Sequence, residues 1–202
     1  MLNIHNIIRT RKNIIIPILR LSVSLFYKKK YLSGRHFDKS YSGWIWAIRG
    51  IWFQKILGFN RKIPWPCGVS CYISNPKYIN FHPDDLNNFQ SPGTYFQNFA
   101  GRIFLGHGCY IGPNVGIITA NHSIKNLDEH EKAKDIIIGE KSWLGMNAVV
   151  MPGVVLGPHT IVGAGSIVTK SFPKGSVVLA GNPATIIRHL KDKPLNKLEI
   201  KS

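Results

Sequence analysis

The chain has 202 residues, 44% of them hydrophobic, a formal net charge of +16 and three cysteines. That length suits one well-buried domain with an appendage and does not comfortably hold two independent ones, and three cysteines (Cys67, Cys71, Cys109) without metal-ligand spacing read as reduced thiols of a cytoplasmic protein. The charge is uneven, since residues 1–66 carry 13 Lys and Arg against Asp38 alone, a net of +12 that leaves +4 for the rest; nucleic acid is set aside as a partner because no helix-turn-helix, RNA-binding sheet or zinc-finger motif accompanies that charge.

Residues 1–66 form the first unit, a basic amphipathic segment. The run IIIPILRLSVSLFYKKKY predicts a helix with a polar stripe at Asn13, Arg20, Ser24 and Lys28 and Ile14, Ile18, Leu21 and Leu25 opposite. Its apolar run is interrupted by Arg20 and too short to span a bilayer, and no small-residue cleavage site follows it, which speaks against a secretory signal. Trp44, Trp46, Trp52 and Phe53 come next. Two compatible roles fit: covering the open end of the unit that follows, and peripheral contact with an anionic membrane, where apolar burial and Lys/Arg attraction add.

The second unit is residues 67–190. A six-residue beat starts weakly at Ile73 and Ile79, lapses through HPDDLNNFQSPGTYF, and resumes at Phe99, Leu105, Ile111 and Ile117, then at Ile138, Leu144, Val150, Leu156, Val162 and Val168. Glycine usually follows the apolar residue, and Cys109, Ser142, Ala148, Thr160 and Ser166 supply a small residue two places before it. Neither a period of 3.6 nor one of 2 accounts for this pattern, so a repeat architecture is expected, an all-β solenoid in which each short strand buries its inward side chain only against stacked neighbours. Ile117 and Ile138 are 21 residues apart, not a multiple of six. The segment TANHSIKNLDEHEKAKD must therefore leave the coil, as a loop over 121–137 that a rigid scaffold can present for function. GNPATIIRHL reads as a turn and a short C-terminal helix, and 191–202 as a charged, proline-broken tail.

The runs IFLGHGCYIGPNVGI and IIIGEKSWLGMNAVVMPGVVLGPHTIVGAGSIVTK, followed by AGNPATIIRHL, resemble the hexapeptide-repeat acyltransferases, in their sugar and polysaccharide O-acetyltransferase branch, from about Cys71 to Leu190. The resemblance implies a left-handed parallel β-helix with three hexads per coil, a homotrimer, and acetyl-CoA as co-substrate. It also implies that His122, in ITANHS, is the general base that takes the proton of the acceptor hydroxyl, an effect worth roughly two to four decades in rate. Ser123 stands where relatives often have an acidic residue or proline, which leaves a backbone carbonyl or a distant carboxylate to orient the ring.

By the same resemblance Asn98 lies near the acceptor or cofactor. Trp143, Gly145 and Met146 line the pantetheine groove, Ala164 lies in a GAG turn beside it, Thr169 and Lys170 sit near the adenosine end, and Arg188 approaches the phosphates, with Thr185 where a second basic residue is common. Lys and Arg at one end of a groove suit a polyanion on a long arm. His107, His130 and His159 invite comparison with zinc carbonic anhydrases that share such a solenoid, but His122 has no companion five residues before it, so no metal is expected. His107 and His159 read as exposed turn residues.

The expected function is acetyl-CoA-dependent O-acetylation of a sugar hydroxyl in capsule, O-antigen or exopolysaccharide synthesis, in the cytoplasm or at the inner face of the membrane. Two alternatives share most of these residues: N-acetylation of a nucleotide-linked amino sugar, or O-acetylation of serine. A third, a non-enzymatic trimeric scaffold or glycan-binding module, predicts indifference to replacement of His122.

Overall fold

A computed structural model describes residues 16–190. Its strands form three sheets. The first holds β1 (Tyr72–Ile73), β3 (Tyr95–Gln97), β6 (Gly116–Ile118), β9 (Val149–Val150) and β12 (Ile167–Val168). The second holds β2 (Ile79–Asn80), β4 (Ile103–Leu105), β7 (Ile136–Ile138) and β10 (Val155–Leu156). The third holds β5 (Tyr110–Ile111), β8 (Trp143–Leu144), β11 (Thr160–Val162), β13 (Val177–Gly181) and β14 (Ala184–His189). Successive strands fall in successive sheets and pair in parallel one coil on, as in Ile117 with Val150 and Val150 with Val168. The chain therefore winds around three faces.

Where no loop intervenes, a coil takes 18 residues, the step from Val150 to Val168. Between Ile117 and Val150 the step is 33, so 15 extra residues leave the coil there. The rungs at Leu105, Ile111, Ile117, Ile138, Leu144, Val150, Leu156, Val162 and Val168 are at most 5% exposed, and the small residues at Cys109, Ser142, Ala148, Thr160 and Ser166 are buried beside them. Phe99 departs from the beat at 41% exposure. β3 ends at Gln97 and the chain turns outward, so the inward residue of this coil is Phe96, whose 21-residue step to its partner Ile117 holds three residues more than a regular coil.

The expected C-terminal helix is instead β14, antiparallel to β13. Thr185, Ile186 and Ile187 are β-branched and favour a strand, and the last coil offers a free edge whose N–H and C=O groups that strand satisfies. At the other end the first coil lacks a third strand. A 3-10 segment, Pro83–Phe89, takes its place, and the buried amide of Asn88 stands in for backbone, accepting from Ile111 N–H at 2.9 Å and donating to Cys109 C=O at 3.1 Å.

The segment before the coils folds as α1 (Ile16–Val23), α2 (Arg35–Asp38) and α3 (Ser42–Gly50), the last continuing as a π-helical turn over Ile51–Ile56. It covers the first coil with an aromatic layer in which Trp65 packs on Tyr31, Phe81 and Phe89, and Phe89 on Phe96, with ring centroids 5.0–5.3 Å apart. Arg35 fastens the two regions, its backbone N–H on Asp84 Oδ1 at 2.6 Å and its guanidinium on Asp84 C=O, Asn87 and Tyr110. Gln54, 1% exposed, gathers the chain behind α3 by donating to the carbonyls of Asn60, Ile63 and Trp65 and accepting from Cys67 N–H.

On α1 the apolar stripe faces outward. Ile18, Leu21 and Leu25 are 60%, 66% and 81% exposed, while Val23 is buried. Arg20 pairs with Asp38 at 2.7 Å and lies over the ring of Trp44, the two charged side chains staying 41% and 47% exposed, while Ile16, Leu19 and Val23 supply the packed side. Asn13 and Ile14 lie outside the described residues.

Candidate active site

The residues that leave the coil after β6 fold back on themselves. Ser123 N–H donates to Glu129 C=O, Glu131 N–H to Asn121 C=O, and Lys134 N–H to Thr119 C=O, all within 2.9 Å. The loop is thus a short antiparallel arm that ends before β7 begins at Ile136, two residues short of the expected 121–137. Its root is clamped by Gln97, whose Oε1 accepts from the N–H groups of Thr119 and Ala120 while Nε2 donates to Ala120 C=O. A beat of inward residues carries no sign of such a clamp, because Gln97 faces the loop and not the core.

His122 sits on the rising limb of that arm and is exposed. Its Nδ1 lies 2.7 Å from the carbonyl oxygen of Leu127. A carbonyl only accepts, so in the neutral ring Nδ1 carries the proton and Nε2 is left as the lone-pair nitrogen, with no hydrogen-bond partner among the described residues. The orienting group left open by Ser123 is therefore a backbone carbonyl. The ring of His130, across the arm, has its centroid 4.3 Å from that of His122, and Phe99 meets His130 edge-on at 4.9 Å. Phe99, out of the core, is thus part of a stack behind the imidazole.

Asn98 is fully buried. Its side chain accepts from Asn75 N–H at 3.0 Å and donates to Asn75 C=O at 2.7 Å, the same backbone mimicry seen at Asn88. Both ends of the amide are engaged in the coil beneath, which places Asn98 as a brace for the turn that carries Phe99.

The seven residues expected at the cofactor fall into two groups. Trp143 lies on the outer face of the third sheet, 52% exposed, in register with Tyr110 on one side and Ile161 on the other, and the row continues through Val178 to Arg188 on β14. At the edge where the third sheet turns into the first, Met146 and Ala164 are exposed one coil apart, with Gly165 N–H donating to Met146 C=O at 2.8 Å. A Cβ on Gly145 would come within 2.7 Å of Ala164 N, so the coils stack there only on glycine. Thr169 and Lys170 follow β12 at the opposite edge of the first sheet, the edge from which the His122 arm also springs. One chain therefore carries the Trp143 row, which ends in Arg188, on one side and the imidazole, with Thr169 and Lys170, on another, and does not itself bring them together.

His107 is exposed, as expected of a turn, but not alone. With His82 and Asp84 it brings three ligand-type atoms within 4.8 Å of one another, a grouping among the described residues that the sequence concealed because the turns are stacked from successive coils. Asp84 is held below the usual carboxylate range chiefly by the Arg35 backbone N–H, against its partial burial and with help from His82 and His107. Asp85, next in the chain and fully buried, is shifted the other way by loss of solvent, against the Gly108 N–H at 2.8 Å. His159 is exposed in a turn with positive φ, apart from this group.

Residues 135–170 match the family described as bacterial transferase hexapeptide (six repeats). A Saccharomyces cerevisiae protein provisionally named an acetyltransferase is 38% identical over 66% of this chain and 70% of its own length. The galactoside O-acetyltransferases of Lactococcus lactis and Escherichia coli are 36% and 31% identical, over 65% and 62% of this chain and 66% and 64% of their own. The chain thus spans about two thirds of the length of these curated relatives. A solved hexapeptide-repeat acetyltransferase of Vibrio cholerae, complexed with acetyl coenzyme A, is 31% identical over 50% of this chain and 56% of its own, with a TM-score of 0.46.

Proposed function

Because this chain belongs to the hexapeptide-repeat acetyltransferases, we propose that it moves an acetyl group from acetyl-CoA to a sugar hydroxyl, with His122 as the general base. The observation that carries this reading is the hydrogen bond of His122 Nδ1 to Leu127 C=O, which leaves Nε2 free to accept a proton on an exposed, clamped arm. Nε2 takes the hydroxyl proton as the acceptor oxygen bonds to the acetyl carbonyl carbon. The thioester C–S bond breaks, and the sulfur leaves with the proton that the imidazolium returns. An alcohol is a poor nucleophile at neutral pH, so removing that proton in the transition state is where a side chain gains most, and Gln97 and the Phe99–His130 stack hold the ring where it can do so.

The donor's long arm would meet the row at Trp143 and the edge at Met146, with Arg188 at the polyanionic end of that row. Trp143, Met146 and Arg188 lie apart from His122 and Lys170 within one chain, which supports assembly of a left-handed coil as a homotrimer, in which the arm of one copy reaches the Trp143 row of the next. A sugar acceptor is supported by the relatives named galactoside O-acetyltransferases. A glycan of capsule, O-antigen or exopolysaccharide is the acceptor that fits an enzyme kept on the cytoplasmic side, where the three buried free cysteines stay reduced.

The test follows release of free thiol from acetyl-CoA with galactosides and glycan fragments. His122→Ala should lower turnover by about two to four decades while the donor still binds. Turnover unchanged in that variant overturns the assignment of the base.

A further inference from the structure

We infer that the helical run Ser42–Ile56 docks this protein flat on an anionic lipid surface. This stands independently of the transfer chemistry. Ile45, Ile48, Trp52 and Ile56 are 61%, 51%, 55% and 54% exposed, and their spacing of three, four and four puts them on one face. The opposite face, through Trp44, Ala47, Gly50 and Gln54, is buried against the rest of the molecule. The core therefore already has its share of this helix, and the outer stripe has no packing to account for it. Single exposed hydrophobics are ordinary, but a continuous stripe marks something that covers it. Leu57 and Phe59 extend it at 51% and 52% exposure.

Charge decides what the cover is. Arg49 lies on the helix among the stripe residues, and the Arg61 guanidinium donates to Ile56 C=O at 3.0 Å beside its end. A cleft of about 490 Å³ between the N-terminal segment and the second sheet is lined by Lys28, Lys30, Lys62, Lys77 and Arg102. None of these five joins an ion pair among the described residues. A second copy meeting this face with its own would bring the same excess of cations against it and be repelled. A bilayer rich in anionic headgroups offers an apolar layer for the stripe and phosphates for the cleft, with Trp52 at the depth where an amphipathic ring is most stable. No helix among the described residues is long and apolar enough to cross a membrane, so the contact lies in the plane of the interface.

The experiment uses the full chain and sedimentation with phosphatidylglycerol-containing or pure phosphatidylcholine vesicles. Binding should favour the anionic vesicles, weaken as salt rises, and survive free pyrophosphate. Each apolar side chain entering the interface strengthens partition about tenfold or more, so Ile48→Ser with Trp52→Ser should weaken it about a hundredfold. The double variant should melt close to wild type, because neither side chain is buried. Brominated lipid should quench a tryptophan signal that Trp52→Phe removes. The inference is overturned by failure of the full chain to prefer anionic vesicles, by equal binding of the double variant, by displacement with pyrophosphate, or by a wild-type assembly that the double variant dissociates, which would assign the stripe to a protein contact.

Discussion

The coils from Ile103 to Leu179 and the helical segment from Ile16 to Trp65 are built on opposite terms. In the unbroken coils from Ile138 to Val168, inward and outward are fixed by count: a residue six places from a rung is itself a rung, and its neighbours above and below are apolar residues one coil away. In the helical segment a stripe is only an offer, and the rest of the molecule decides whether it is taken. Ile18, Leu21 and Leu25 make as regular a stripe as any, yet they face outward, while Ile16, Leu19 and Val23 between and before them take the packed side. One-dimensional stacking leaves each position a single set of neighbours, whereas a lone helix can rotate.

The largest test of that contrast is Gly157→Ala. A Cβ there would be driven into the backbone of Pro173 and Gly175 one coil on, with no flexible side chain to yield. Overpacking against backbone should cost on the order of 4 kcal/mol or more and lower the urea midpoint steeply. Gly165 has nothing near its Cβ position and only its φ of +69° to lose, so Gly165→Ala should cost roughly 1 kcal/mol. Equal losses at the two sites would mean that coil spacing is not what the repeat glycines protect.

The helical segment should break through a polar residue. Gln54→Leu keeps the bulk but strands the carbonyl of Trp65 and the N–H of Cys67, while Asn60 C=O keeps Ile63 N–H and Ile63 C=O keeps Lys55 Nζ. Stranding buried backbone groups should cost roughly 2–3 kcal/mol. Limited proteolysis should then cut within residues 57–70 while the coils from Ile103 onward stay protected. Global unfolding with no such intermediate would show that the segment and the coils form one cooperative unit.

How much of this was legible follows the same division. Every rung from Leu105 to Val168 could be counted off, and so could the 15-residue surplus that extrudes His122. Phe99 was miscounted because the three extra residues after Gln97 look, in one dimension, like the beat resuming. The β14 strand was missed because GNPATIIRHL carries no period of its own and is specified by the free edge of β13. At the site, His122 was legible as a histidine at the break, while its orienting partner was not, since a backbone carbonyl leaves no mark in a sequence. Gln97 and the His82–Asp84–His107 group leave no mark for a related reason, their partners lying one coil away, and the place of His130 depends on how the arm folds back.

The smallest effect lies at the seam between the two regions, where adjacent carboxylates are shifted in opposite directions. Asp84, lowered by the Arg35 N–H, contributes stability that is present above the ordinary carboxylate range and lost as pH falls through its depressed value. Asp85, raised by burial, binds its proton more tightly when folded, so its contribution is present at acid pH and lost as pH rises through its elevated value. Asp84→Asn should therefore be less stable than wild type at neutral pH, with the gap closing on acidification. Asp85→Asn keeps an acceptor for Gly108 N–H and removes the buried charge, so it should be slightly more stable at neutral pH, and that gap too should close in acid. Urea midpoints between acid and neutral pH read both signs. A shift of the same sign in both variants would mean that Arg35, 3.7 Å from Asp85 Oδ1, compensates the buried charge more than desolvation penalises it, and that the seam is held by one ion cluster instead of two opposed groups.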